Sequence, residues 1–275
     1  MWNAIMWGTI AASATLLGAL VVLKFTIPRR IIGYIMALGT GALIGATTYE
    51  LLEESLEISG FLEVAIGFLG GALVFTVLDY FVSHRGGQQR KNSERTQEQG
   101  NEAREATNGG VGTTSLFHKP STKKSDHSSS KGSSSGKGIF IGTVMDTLPE
   151  SAMIGMSLIG GGGVSLALVV SIFISNIPEG LSSTVGLQKS GYSTRKILFL
   201  WFLVVFFSAL CSLAGATLLE MASNDIKAIV SCFAGGAIIA MIASTMMPEA
   251  YREGGPTVGF VTSIGVFISL WLHYL

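Results

Sequence analysis

The chain has 275 residues, 48% hydrophobic and 13% charged, with a formal net charge of zero. Soluble domains carry about 25% charged residues, so an ordinary water-soluble enzyme is excluded, and the balanced charge offers no global field for nucleic acid. Cys211 and Cys232 are the two cysteines and both lie in apolar runs, which excludes a disulfide framework and a CxxC metal site. The composition is that of a polytopic membrane protein, whose function resides in the few polar residues at bilayer depth.

A helix needs about 20 mostly apolar residues to cross the hydrocarbon core. Eight stretches qualify, at roughly 3–23, 31–51, 61–83, 138–159, 164–187, 196–219, 226–248 and 256–275. Met1–Gly8 holds no Lys or Arg, so the first stretch lacks the basic region of a signal peptide and reads as a retained helix. No alternating ten-residue pattern recurs, which argues against a β-barrel. With eight spans, every Lys and Arg except Lys227 falls on one face. Cytoplasmic loops are rich in these residues, so both termini are expected outside a plasma or inner membrane. The outer loops carry acids instead (Glu53, Glu54, Glu57, Glu63, Glu220, Asp225).

The chain therefore divides into spans 1–3 (1–84), an inner loop (85–137), the paired spans 4–5 (138–187) and spans 6–8 (188–275). The loop is polar and Ser/Gly-rich, so it is expected to be disordered and cytoplasmic. His118 and His127 within it lie too far apart to form a convincing metal motif.

Spans 4 and 5 carry related segments, Asp146-Thr147-Leu148-Pro149-Glu150-Ser151 and Ser175-Asn176-Ile177-Pro178-Glu179-Gly180, 29 residues apart. Consecutive spans run antiparallel, so this direct repeat becomes an inverted one, with a substrate expected near the midplane. Residues three and four apart share a helix face, so Asp146, Thr147 and Glu150 project together, as do Ser175, Asn176 and Glu179. Each proline frees the carbonyl four residues earlier, of Met145 and Ile174. Ionised carboxylates in a bilayer each cost several kcal/mol, and no Lys or Arg lies in the interior of any span to pair with them. Protonated acids on helices merely kinked by proline are the bland alternative. Two matched acids on a repeat favour an oxygen-lined site for a divalent cation.

Weaker signals surround this pair. Gly41-Ala42-Leu43-Ile44 resembles Gly236-Ala237-Ile238-Ile239, and at the same offset of 195 residues Glu54 matches Glu249. Spans 1–3 and 6–8 then form a second inverted pair. Glu249, after Pro248, is a candidate contact on an inner pathway, and Glu50 one at an outer mouth. Gly160–Gly163 reads as a tight turn, and His84 and His273 as interfacial.

Eight spans, a long inner loop after span 3 and proline–glutamate motifs in spans 4 and 5 together resemble the ZIP family of metal-ion transporters, over essentially every span and most nearly its prokaryotic members. Ser175–Gly180 is similar to the family's fifth-span motif, and Met246-Met247-Pro248-Glu249 to its seventh-span ending. The resemblance implies an all-α, 3+2+3 inverted-repeat bundle. It also implies transport of Zn²⁺, Fe²⁺ or Mn²⁺ toward the cytoplasm through a binuclear site between spans 4 and 5. Glu150 and Glu179 match the bridging glutamates and Asn176 a ligand of the second position. Asp146 stands where the family usually has His, Thr147 where it has Asn, Ser175 where Gln or His is common, and Ser244-Thr245 where an acidic pair often sits. A site without imidazole or thiolate suits harder ions such as Mn²⁺.

The expected function is thus a ZIP-like secondary transporter, with a non-transporting membrane metal sensor as the alternative. The chain holds no GxSxG or HExxH, so hydrolase chemistry ranks far lower. Its partners are expected to be bilayer lipids, the divalent ion as substrate and, as one option, a second copy of the chain, with no prosthetic group and no nucleic acid.

Overall fold

A computed structural model describes residues 2–25, 27–82, 133–158 and 164–275, without the side chains of 133–139, 145 and 146. The expected loop disorder, His84, His118, His127, the Gly160–Gly163 turn and the Asp146 side chain lie outside the described residues. Among the described residues eight helices follow in chain order: α1 Trp2–Lys24, α2 Arg29–Ile58, α3 Phe61–Val82, α4 Ser133–Met156, α5 Leu166–Lys189, α6 Thr194–Leu218, α7 Asn224–Gly254 and α8 Val258–His273. Among the described residues α1, α2, α3, α5, α6 and α7 are each long and apolar enough to cross a membrane, and α8 is a shorter apolar helix. The molecule is an all-α, multi-pass membrane bundle.

Local chemistry sets several helix ends. Pro28, with no N–H to satisfy, precedes α2. Ser165 and Ser223 begin α5 and α7, their hydroxyls accepting from the Leu168 and Ile226 amides. Gly255 takes φ 77°, left-handed backbone that ends α7. Helix α4 begins at Ser133, earlier than the apolar run predicts, and α2 and α7 run past their expected ends to Ile58 and Gly254. A hydropathy window sees only the membrane-embedded part of a helix, not the polar turns that continue it.

Helices α2 and α7 share an irregularity. Each widens into a π-helical segment, Thr47–Glu53 in α2 and Ile242–Met246 in α7. The two begin 195 residues apart, the offset already seen between Gly41 and Gly236. A π turn holds an extra residue and marks functional positions more often than chance.

The inverted repeat is also visible in how the helices cross. α8 packs on α2 as α3 packs on α7, and α5 packs on α1 as α4 packs on α6. At the first pair of crossings a Cβ on Gly41 would lie 1.9 Å from the Thr262 carbonyl oxygen, and one on Gly236 1.9 Å from that of Phe68. Only glycine permits backbones that close. Gly18 and Gly180 make the α1–α5 crossing, and Gly155 and Gly215 the α4–α6 crossing.

Two sets of helices result. In the first, α1, α4, α5 and α6, the Trp201 indole donates to the Thr184 hydroxyl and the Ser212 hydroxyl to the Ala4 carbonyl. In the second, α2, α3, α7 and α8, Cys232 donates to the Leu51 carbonyl, Thr257 to the Tyr34 hydroxyl, and His273 is bonded to Glu50. The sets meet chiefly where α2 crosses α5. Large apolar side chains on α3 (Phe61, Leu69, Leu73) and α6 (Phe199, Phe202, Phe206) face outward, as a lipid-contacting surface requires. Helix α5 lies at the centre.

Candidate metal site

Pro149 and Pro178 sit inside α4 and α5, four residues after the carbonyls they leave unbonded. The two helices run antiparallel and are joined by a hydrogen bond between the Thr143 and Ser183 hydroxyls. That bond sets their register. At about 1.5 Å of rise per residue, Glu150 lies about 10 Å along α4 from Thr143, and Asn176 the same distance along α5 from Ser183. Glu150 is therefore level with Asn176, and by the same reasoning Thr147 is level with Glu179. Thr143, Thr147 and Glu150 share one face of α4, while Asn176, Glu179 and Ser183 share one face of α5.

All of these groups are buried. Glu150 is 1% exposed and Glu179 8%, and Thr147, Ser175 and Asn176 are fully buried. Thr147 donates its hydroxyl hydrogen to the Thr143 carbonyl at 2.8 Å, and Ser175 donates to the Ile172 carbonyl at 2.9 Å. Their oxygens keep lone pairs free to accept or to coordinate. The Asn176 carboxamide has no hydrogen-bond partner at either its oxygen or its nitrogen among the described residues. A buried amide in that condition costs about 1–3 kcal/mol.

Ser175 has a second neighbour. A Cβ on Gly39 of α2 would lie 2.6 Å from the Ser175 Cα and 3.2 Å from the carbonyl carbon of Ile174. The α2 backbone thus passes against the very peptide that Pro178 frees. Among the described residues no three His, Cys, Asp or Glu side chains come together in a group fit to hold a metal. The described donors are two carboxylates, one carboxamide and hydroxyls. Asp146, one turn before Glu150, is placed by its backbone alone.

The two sides of this level differ. Toward the α4–α5 connection, Met153 and Ile154 of α4 and Leu168 and Ile172 of α5 are all fully buried. They form one apolar cluster with Leu43 of α2 and Ile238, Met241 and Ile242 of α7. The register sets Ile154 level with Ile172, one turn beyond Glu150 and Asn176, so the site is sealed on this side. Toward Lys189 the neighbours are hydroxyls: Thr143, Ser183, and Ser182, which donates to Glu249 at 2.9 Å.

Glu50 lies elsewhere, in the π segment of α2. Its Oε1 is 2.8 Å from His273 Nδ1, and the His273 ring stacks on Tyr49. Sequence reasoning missed this contact, which joins residues far apart in the chain. It also missed Thr143 and Ser183, although the same four-residue spacing, extended one turn from Thr147 and Glu179, leads to both.

The family model for ZIP zinc transporters matches residues 1–272. A protein of Arabidopsis thaliana named "Putative zinc transporter" is 28% identical over 131 residues, 46% of this chain. The matched stretch is 21% of that relative, so this chain spans only a minor part of its length. A match over nearly every residue, on a bundle whose paired helices carry two buried proline–glutamate motifs, settles the kinship: the chain belongs to the ZIP zinc transporter family.

Proposed function

We propose that the protein is a secondary transporter that moves divalent metal ions across a membrane through the α4–α5 site. The observation that carries this reading is the buried Asn176 amide, level with the buried Glu150 and one turn from Glu179. Anionic and neutral oxygens gathered at bilayer depth are stable when a cation neutralises them. Glu150, Glu179, Asp146 and Asn176 are the ligands in this reading, with Thr147 and Ser175 offering weaker oxygens. Imidazole and thiolate are missing from the motifs, which favours harder ions such as Mn²⁺ within the range of Zn²⁺, Fe²⁺ and Mn²⁺. The relative's name points to zinc, and competition between the two ions decides the matter.

In this reading both termini face outward and the ion moves toward the cytoplasm. The apolar seal around Ile154 and Ile172 then closes the outer side, and the hydroxyls of Thr143, Ser182 and Ser183 line the inner one, with Glu249 beyond. Exposure of the site alternates as α4 and α5 move against the flanking helices, carrying α1 and α6 with them because those crossings are glycine-tight. The test is uptake of Mn²⁺ and Zn²⁺ into proteoliposomes. A protein that binds metal without net flux would instead be a sensor, as the replacement of the usual histidine allows.

A further inference from the structure

The geometry points to Glu249 as a positioning residue that latches the two helix sets together through Ser182. Several inter-helix bonds among the described residues stay within one set. Thr143–Ser183, Trp201–Thr184 and Ser212–Ala4 lie within the set of α1, α4, α5 and α6. Cys232–Leu51, Thr257–Tyr34 and His273–Glu50 lie within the set of α2, α3, α7 and α8. The Ser182 hydroxyl, on α5, donates to Glu249 Oε1, on α7, at 2.9 Å and so ties one set to the other.

Both ends of this tie are placed to report on the site. Ser182 is three residues after Glu179, on the helix that carries half of the motif pair. Glu249 stands in the first turn of Met247–Gly254, directly after Pro248 and the π segment Ile242–Met246. The π segment interrupts the regular α-helical ladder of α7, an irregularity frequent at functional positions, and Glu249 stands just beyond it. The sets also meet where Gly39 packs against Ser175 and in the cluster around Leu43. A hydrogen bond to a carboxylate holds one position. The bond thus favours the arrangement in which Met153, Ile154, Leu168 and Ile172 are sealed. Any movement of α5 past α7 has to break it.

This inference rests on the transport reading for its purpose, but its test needs no metal. Full-length protein with Cys211 and Cys232 replaced by Ala and Ile172→Cys introduced is reconstituted in nanodiscs, and the thiol is titrated with a membrane-impermeant maleimide. Ser182→Ala and Glu249→Leu are each expected to speed labelling about tenfold, the size of one hydrogen bond to a charged acceptor. Ser182→Thr and Glu249→Gln, which keep a donor and an acceptor, are expected to restore the slow rate, and a cooperative melting transition shows each variant folded. Labelling that stays slow in Ser182→Ala and Glu249→Leu overturns the latch, as does equal speeding by the two conservative variants. Failure of the metal site would show in uptake by Glu150 and Glu179 variants and leave these labelling rates untouched.

Discussion

The hydroxyls of Thr143 on α4 and Ser183 on α5 are hydrogen-bonded across the helix pair, and that bond decides which members of the two motifs stand level: Glu150 with Asn176, and Thr147 with Glu179. Thr143→Val keeps the shape and leaves the Ser183 hydroxyl buried without this partner, which costs about 1–3 kcal/mol. A lower melting temperature and slower metal uptake are expected for Thr143→Val and Ser183→Ala alone. The double variant is expected to be no worse than the poorer single one, because both remove one interaction. Strictly additive losses would show that the two hydroxyls act independently.

Gly39 admits the α2 backbone to the Ser175 peptide. Gly39→Ala places a methyl 2.6 Å from the Ser175 Cα, and neither backbone has a flexible end to yield. The helices have to separate, at about 1–3 kcal/mol for an overpacked contact. Thermal unfolding and uptake measured together are expected to show both stability and transport reduced. By contrast, Gly142→Ala, with open space around the new Cβ, serves as the control and is expected to leave stability unchanged.

The resemblance to the family sets Asp146 where a histidine is usual. Restoring nitrogen with Asp146→His exchanges a hard anionic oxygen for a borderline imidazole. Competition uptake is expected to move toward Zn²⁺ relative to Mn²⁺ in that variant. An unchanged ratio would place Asp146 outside the ion's coordination sphere.

Glu50 is held by His273 at 2.8 Å, a role in joining α8 to the π segment of α2. A single partly exposed hydrogen bond is worth about 0.5–1.5 kcal/mol. Glu50→Gln is therefore expected to cost little stability and to change uptake far less than a substitution at Glu150. A loss of uptake comparable to that of Glu150→Gln would make Glu50 part of the ion's route after all.

Much of this architecture is legible in the residues themselves. Apolar run lengths locate the eight described helices, and the repeat of Pro-Glu at 29 residues marks the candidate site, because both are local signals with a period of their own. The weak likeness of Gly41-Ala42 to Gly236-Ala237 turns out to mark two equivalent glycine crossings and two π segments. A π turn leaves no residue signature, since it reflects an extra residue absorbed by tertiary contacts, and hydropathy passes straight through it. The Ser182–Glu249 and Glu50–His273 bonds join helices distant in sequence, and a hydroxyl or carboxylate carries no sign of which distant helix it will meet. Helix α4 starting at Ser133 is similar: Ser and Gly read as linker, yet the helix extends through them.

The central claim is that Glu150 and Glu179 hold a transported ion between α4 and α5. It is tested most directly by elemental analysis of the purified full-length protein combined with uptake in proteoliposomes, for the wild type and for Glu150→Gln/Glu179→Gln. The account predicts bound divalent metal in the wild type and none in the double variant. Uptake is expected to fall by more than about 100-fold, beyond the effect of groups that only support a ligand, while the melting temperature shows a folded protein. A folded double variant that retains its metal and its uptake contradicts the account.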